Sequence, residues 1–217
     1  MKRFSLSVAA VLAALFLSAC STASSQNTYT TRVELLALLE TLNADILAAP
    51  SATATLERWC RDHAMAADPK IVAIRDTNAQ KTPSAEQLQR LGVTSASEVR
   101  YRHVRLQCGA HTFSVADNWY VPARLTPEMN RALETTDSPF GKVVRELAPY
   151  RRTIAVTLLW APLARGWELR PRPRSHQRVA IPQELMVHTA VLYTAGHQPF
   201  SEVVETYQRD LLAFRGW

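Results

Sequence analysis

The sequence has little of what most enzyme signatures require. It holds six glycines in 217 residues, and none form a glycine-rich phosphate loop, so the common nucleotide-binding motifs are absent. It has no G-x-S-x-G nucleophile elbow and no H-E-x-x-H pair. Its six histidines (His63, His103, His111, His176, His188, His197) are scattered, and each reads as a surface or hydrogen-bonded polar residue. The three cysteines, Cys20, Cys60 and Cys108, fit no metal-ligand spacing. Neither metal nor cofactor is expected. No concentrated basic stripe exists of the kind that binds nucleic acid, and no partner of that class is expected. The chain shows no internal repeat and no strand–helix–strand alternation.

Distinct signals remain. Lys2 and Arg3 precede the apolar run FSLSVAAVLAALFLSA, and small residues follow up to Cys20. That is the layout of a secretory signal over 1–19, too short to span a bilayer comfortably. Leu17-Ser18-Ala19-Cys20 resembles the bacterial lipobox, which implies a lipidated Cys20 as the mature N-terminus. Ser21, rather than Asp, at the next position fits transfer to the outer membrane. The expected location is therefore the cell envelope, lipid-anchored and facing the periplasm. Losing Lys2 and Arg3 takes the net charge from +6 to +4, which is mild. Residues 20–31, including STASSQNTYTT, read as a polar tether, and 32–217 as one domain. Cys60 and Cys108 then form an even pair, either a disulfide or two separate buried thiols.

Periodicity outlines the domain. RVELLALLETLNADILAA places Val33, Leu35, Leu36, Leu38, Leu39, Leu42 and Ile46 at helical spacing and stops at Pro50. A second helix carries Leu56, Trp59, Cys60 and His63 as one stripe, capped by Ser51 or Thr53. Pro69 to Asp76 reads as a strand. Ser84 with Gln87 makes a capping box for a short helix. SEVRYRHVRLQC and HTFSVADNWYVP flank Gly109 as a hairpin. Thr126 with Pro127 starts another helix, and Ser138 with Pro139 a further one. RRTIAVTLLW is β-rich. The Arg/Pro run from Arg165 to Arg178 reads as a solvated loop. A second hairpin turns at AGHQ, and RDLLAF closes the chain as a short helix. The expected class is α+β: an antiparallel sheet of about six strands, helices packed on one side, and an N-terminal helix in front. A monomer is expected.

Three arginines stand in the first hairpin. Alternation puts Arg100 and Arg102 on the face continued by Val104 and Leu106, and Arg105 on the polar face. Arg102 thus heads inward, where a guanidinium serves to bind a carboxylate or phosphate. The alternative is that Arg102, near the strand's start, reaches water.

Blocks in LERWCRDHAMAADPKIVAIRD, RHVRLQCGAHTFSVADNWYVP, LETTDSPFGKVVRELAPYRRTIAV and VHTAVLYTAGHQPFSEVVETY, taken in that order, resemble the chorismate–pyruvate lyase family. The same fold serves as the ligand-sensing domain of GntR-type regulators. The resemblance spans about Thr55 to Tyr207. It implies that Arg102 binds a substrate carboxylate and that Glu205 acts as general acid, with Glu202 as the rival carboxylate. Their odd spacing sends them to opposite faces, so only one is expected inside. The family's second-strand arginine is replaced here by Asn118, which removes one positive charge from a dicarboxylate site. Backbone N–H groups near Gly109 to Thr112, or at Phe140 and Gly141, are further candidate contacts. Three functions are open: a lyase releasing pyruvate and 4-hydroxybenzoate from chorismate, a non-catalytic envelope lipoprotein binding a small aromatic or carboxylate ligand, and an interaction lipoprotein whose residues 32–64 dock a partner.

Overall fold

The computed structural model describes residues 29–172 and 179–215. The proposed signal, the lipobox Cys20 and most of the tether lie outside the described residues, as do His176 and residues 173–178 of the Arg/Pro loop.

The first helix, α1 (Tyr29–Ala48), buries Leu35, Leu39, Leu42 and Ile46. These recur every three or four residues, so they form one stripe, and each contributes about 1.5–3 kcal/mol through burial. Helix α1 starts at Tyr29, so Tyr29, Thr30 and Thr31 belong to the helix and not to the tether. Helix α2 (Ala52–Asp62) follows after Pro50, and its N-cap is Ser51, whose hydroxyl accepts from the Ala54 N–H. Its buried side is Leu56, Trp59 and Cys60. Strand β1 (Ile71–Asp76) leads to α3 (Ala85–Leu91), which carries the expected reciprocal Ser84–Gln87 box.

The hairpin β2 (Arg100–Cys108) and β3 (His111–Tyr120) turns at Gly109, whose φ of +55° is the left-handed region where a side chain is strained. Helices α4 (Pro127–Thr135) and α5 (Phe140–Val143) come next, α4 capped by the Thr126 hydroxyl. Strand β4 (Tyr150–Leu158) precedes the second hairpin, β5 (Glu184–Tyr193) and β6 (Pro199–Gln208). A 3-10 segment (Arg209–Arg215) closes the described chain.

The six strands form one antiparallel sheet in the order β1-β2-β3-β6-β5-β4, an α+β architecture. The two hairpins meet through β3 and β6, which makes these strands central. Helices α1 and α2 cover one face, where their apolar stripes meet Val104, Leu106, Phe113, Met186 and Tyr207. The short α3 lies against the reverse face beside Trp119 and Val204. Cys60 and Cys108 form a disulfide that ties α2 to the end of β2. Of the two readings of this cysteine pair, the bridge is the one the fold adopts. The Trp59 indole N–H donates to the Leu211 carbonyl at 2.9 Å and pins α2 to the C-terminal segment. No helix among the described residues is long and apolar enough to cross a membrane.

Candidate functional site

Alternation along four strands builds the site. Residues opposite each other in an antiparallel ladder share a face. The pairs Arg102–Asn118, Asn118–Val203, Ala116–Glu205 and Arg151–Leu192 are in register. All of these side chains border one cavity under the helical layer, roofed by Pro50 to Thr53, Phe140, Gly141 and Pro149. The inner chamber is about 80 Å³; a cleft of about 440 Å³ bordered by Glu57, Lys142 and Arg145 shares its Ser51, Thr53 and Gly141 wall. At about 10–15 Å³ per water, the inner chamber holds about five to eight waters, room for a short chain or the acid end of a small ligand and not for a nucleotide.

Arg102 is 7% exposed and lines this chamber, so the inward orientation holds and the water-reaching alternative does not. One of its terminal nitrogens donates to the Ser138 carbonyl at 3.1 Å. Its Nε is buried with no partner, and no carboxylate among the described residues pairs with it. Burial, with Arg75 nearby, pulls its pKa down to about 10. The group still carries its charge at neutral pH. Arg100 shares this face but sits exposed at the strand's start, paired with Glu134, and Arg105 points to solvent on the reverse face.

Glu205 is 3% exposed and borders the same chamber. It accepts from the Ser114 hydroxyl at 2.7 Å and the Tyr207 hydroxyl at 3.0 Å. Burial, with Glu205 beside it, pushes the Tyr207 phenol well above its ordinary pKa, so Tyr207 stays a proton donor in this pair. Glu202 does point to the opposite face, as its spacing requires, yet it is 1% exposed. The expectation that only one of the two glutamates is internal is therefore corrected. Helix α3 covers Glu202, and Arg90 grips its two oxygens at 2.7 and 2.8 Å, with Gln87 at 3.2 Å. A buried carboxylate is tolerated when a guanidinium binds it in this bidentate manner.

Asn118 borders the chamber and its Oδ1 accepts from the Ser201 hydroxyl at 2.5 Å. Gly141 also lines it. A Cβ there would come within 3.1 Å of Ser51 Oγ and Thr53 Oγ1, so glycine permits the close approach of α5 to α2. The backbone of Gly109 to Thr112 is not part of the site. It lies at the far hairpin turn, where the Thr112 N–H donates to Asp210.

Two further groups were not singled out from the sequence. Arg151 borders the chamber from β4, with Nη1 donating to the Thr153 hydroxyl at 3.0 Å and Nη2 buried without a partner. The available signal was Arg151-Arg152 inside a strand: adjacent strand residues face opposite ways, so one must face the helical layer. His188 is fully buried rather than a surface residue, and only half satisfied. Its Nε2 bonds Asn43 Oδ1 of α1 at 2.9 Å, while Nδ1 has no partner. Burial, with Arg151 nearby, lowers its pKa to about 4. Neutral His188 thus donates through Nε2. Among the described residues no cluster of His, Cys, Asp and Glu is suited to a metal ion.

No family model matches the chain. Among solved structures, PhnF from Mycobacterium smegmatis superposes with a TM-score of 0.48 at 13% identity, over 76% of this chain and 66% of that one. A GntR-family transcriptional regulator from Enterococcus faecalis V583 superposes with a TM-score of 0.41 at 9% identity, over 63% of this chain and 93% of that one. In sequence, the chain is 44% identical over 186 residues to uncharacterized protein y4mC of Sinorhizobium fredii (strain NBRC 101917 / NGR234), covering 84% of this chain and 78% of that protein. At that identity and coverage, the chain belongs to the same family as y4mC.

Proposed function

We propose that the domain binds a small carboxylate, aromatic or of similar size, whose acid group is held by Arg102. The observation that carries this is the buried Arg102 guanidinium, which lines a largely apolar chamber with its Nε unpaired and no carboxylate in ion-pair contact among the described residues. Leaving such a charge uncompensated costs several kcal/mol, and a ligand carboxylate offsets that cost. Val104, Leu106, Ala116, Val203 and Leu192 supply the apolar wall for the ligand's body. Titration of the purified full chain with 4-hydroxybenzoate and benzoate, followed by calorimetry, tests the reading. Binding lost in Arg102→Gln supports it. Equal affinity in a folded Arg102→Gln sinks it.

Glu205 in the same chamber favours a second reading, the lyase. Chorismate would be held through a carboxylate by Arg102; as the ring C–O ether bond breaks and the hydroxyl-bearing ring carbon loses its proton, the Glu205 carboxylate would take that proton and pass it to the departing enolpyruvyl group, which leaves as pyruvate from an aromatic ring. The same preparation supplied with chorismate would release pyruvate and 4-hydroxybenzoate in equal amounts, lost in Glu205→Gln. A folded protein that binds 4-hydroxybenzoate and releases neither product leaves the binding reading alone.

The reading includes export and anchoring through a lipidated Cys20. The Cys60–Cys108 bridge supports it, because such bridges persist in oxidising compartments. Labelled palmitate should enter the wild type and not Cys20→Ala. Label retained by Cys20→Ala removes the anchor.

A further inference from the structure

We infer that Arg151 is a second anion anchor of the cavity, so that the preferred ligand carries two acidic groups at opposite ends of a compact apolar body. This rests on the carboxylate-binding reading of Arg102. Arg102 and Arg151 stand on β2 and β4, with three strands between them, and both side chains border one chamber. Each is tethered to its own side. Arg102 donates to Ser138 in the segment joining α4 and α5, whereas Arg151 donates to Thr153 on its own strand. Each keeps one buried nitrogen without a partner, Nε of Arg102 and Nη2 of Arg151. Neither guanidinium has a carboxylate partner among the described residues.

The electrostatics separate them as well. Arg102 is influenced by Arg75, Tyr120 and Asp137, while Arg151 acts on His188 and Tyr207. The residue opposite Arg102 on the neighbouring strand is the neutral Asn118, already engaged by Ser201. Of the two cations that line the chamber, Arg102 stands at this pole, with Arg75 behind it, and Arg151 at the other. One acidic group at each pole, with apolar atoms against Val104, Ala116, Val203 and Leu192, satisfies both cations. A mononegative ligand satisfies one and leaves the other, buried Arg102 or half-buried Arg151, without an anionic partner, at part of the cost such groups carry.

Matched probes test this: adipate against hexanoate and terephthalate against benzoate, titrated into the full chain and its variants. Wild type should bind each diacid at least tenfold more tightly than its monoacid. Arg151→Gln should erase that preference, weakening each diacid at least tenfold more than its monoacid, and Arg151→Lys should keep part of it. Arg102→Gln should weaken all four. Melting curves with no probe establish that the variants are folded. A diacid preference that survives Arg151→Gln overturns the inference. So does an equal loss for mono- and diacid in Arg151→Gln, which would put both arginines on one carboxylate. In either case binding that still depends on Arg102 leaves the parent reading standing. Absence of binding by all four probes overturns the parent reading, and this inference with it.

Discussion

The Cys60–Cys108 bridge closes a loop of 48 residues and joins the helix that roofs the cavity to the strand that carries Arg102. Opening it frees that loop in the unfolded chain. On the chain-entropy relation the bridge contributes about 4 kcal/mol to stability, an upper value because residual structure in the reduced, unfolded chain already restricts the loop. For a domain of this size, with a urea dependence of about 2 kcal/mol per molar, that is a midpoint shift of about 2 M. The perturbation is either reductant on the wild type or the double substitution Cys60→Ala/Cys108→Ala. Alanine avoids burying a hydroxyl, since both positions are fully buried. Urea unfolding followed by tryptophan fluorescence gives the midpoints. Reductant should lower the wild-type midpoint by an amount close to that of the double variant, and should not move the double variant further. Two thiols titrating in the unreduced, denatured wild type, in addition to any contributed by Cys20, would refute the bridge. A reductant shift below about 0.3 M would refute the entropy argument. Because α2 supplies Ser51 to Thr53 to the cavity roof, the bridge's loss should also weaken carboxylate binding.

Other outcomes follow from separate parts of the fold. His188 has a folded pKa depressed to about 4 from an ordinary 6.5, so the unfolded chain binds the extra proton first. Its contribution is present above pH 6.5 and is lost as pH falls toward 4, at most about 3 kcal/mol. Urea midpoints measured between pH 7 and 4 should show this loss in wild type and much less of it in His188→Gln, and identical slopes would contradict the assignment. Arg90→Ala leaves the buried Glu202 carboxylate with Gln87 alone, and should cost about 2–3 kcal/mol in urea unfolding. It should not change benzoate affinity, because Glu202 faces away from the cavity; a parallel loss of binding would contradict that separation. Gly141→Ala pushes a Cβ to within 3.1 Å of two hydroxyl oxygens and should lower carboxylate affinity several-fold by lifting α5 from α2, with little change in melting temperature. Unchanged affinity would show that the roof yields without affecting the chamber.

Much of this was legible along the chain because it depends on short-range rules. A period near 3.6 marked α1, and the stripe of Leu35, Leu39, Leu42 and Ile46 is the part that reached the core. Ser84 with Gln87, and Thr126 with Pro127, marked helix starts because capping is a contact between residues three apart. Strand alternation put Arg102 on the apolar face and Arg105 on the polar one, and sent Glu202 and Glu205 apart, but left open whether Arg102 reaches water at the strand's start. What alternation omits is what covers each face. It left Glu202 and Glu205 as rivals for one internal place, because nothing local announces that α3 will fold back over the reverse face and bring Arg90 to Glu202. It left Arg151 without a role and His188 as one of six scattered histidines for the same reason. Their significance comes from β4 and β5 joining the sheet beyond β6, far in sequence from Arg102. The sequence alone determined the element types, the hairpins and which strand residues share a face, since these follow from backbone geometry and nearest neighbours. Tertiary structure decided which cysteine state formed, which carboxylate is neutralised, and which two arginines share a chamber, because pairing energies depend on distances that only long-range packing sets.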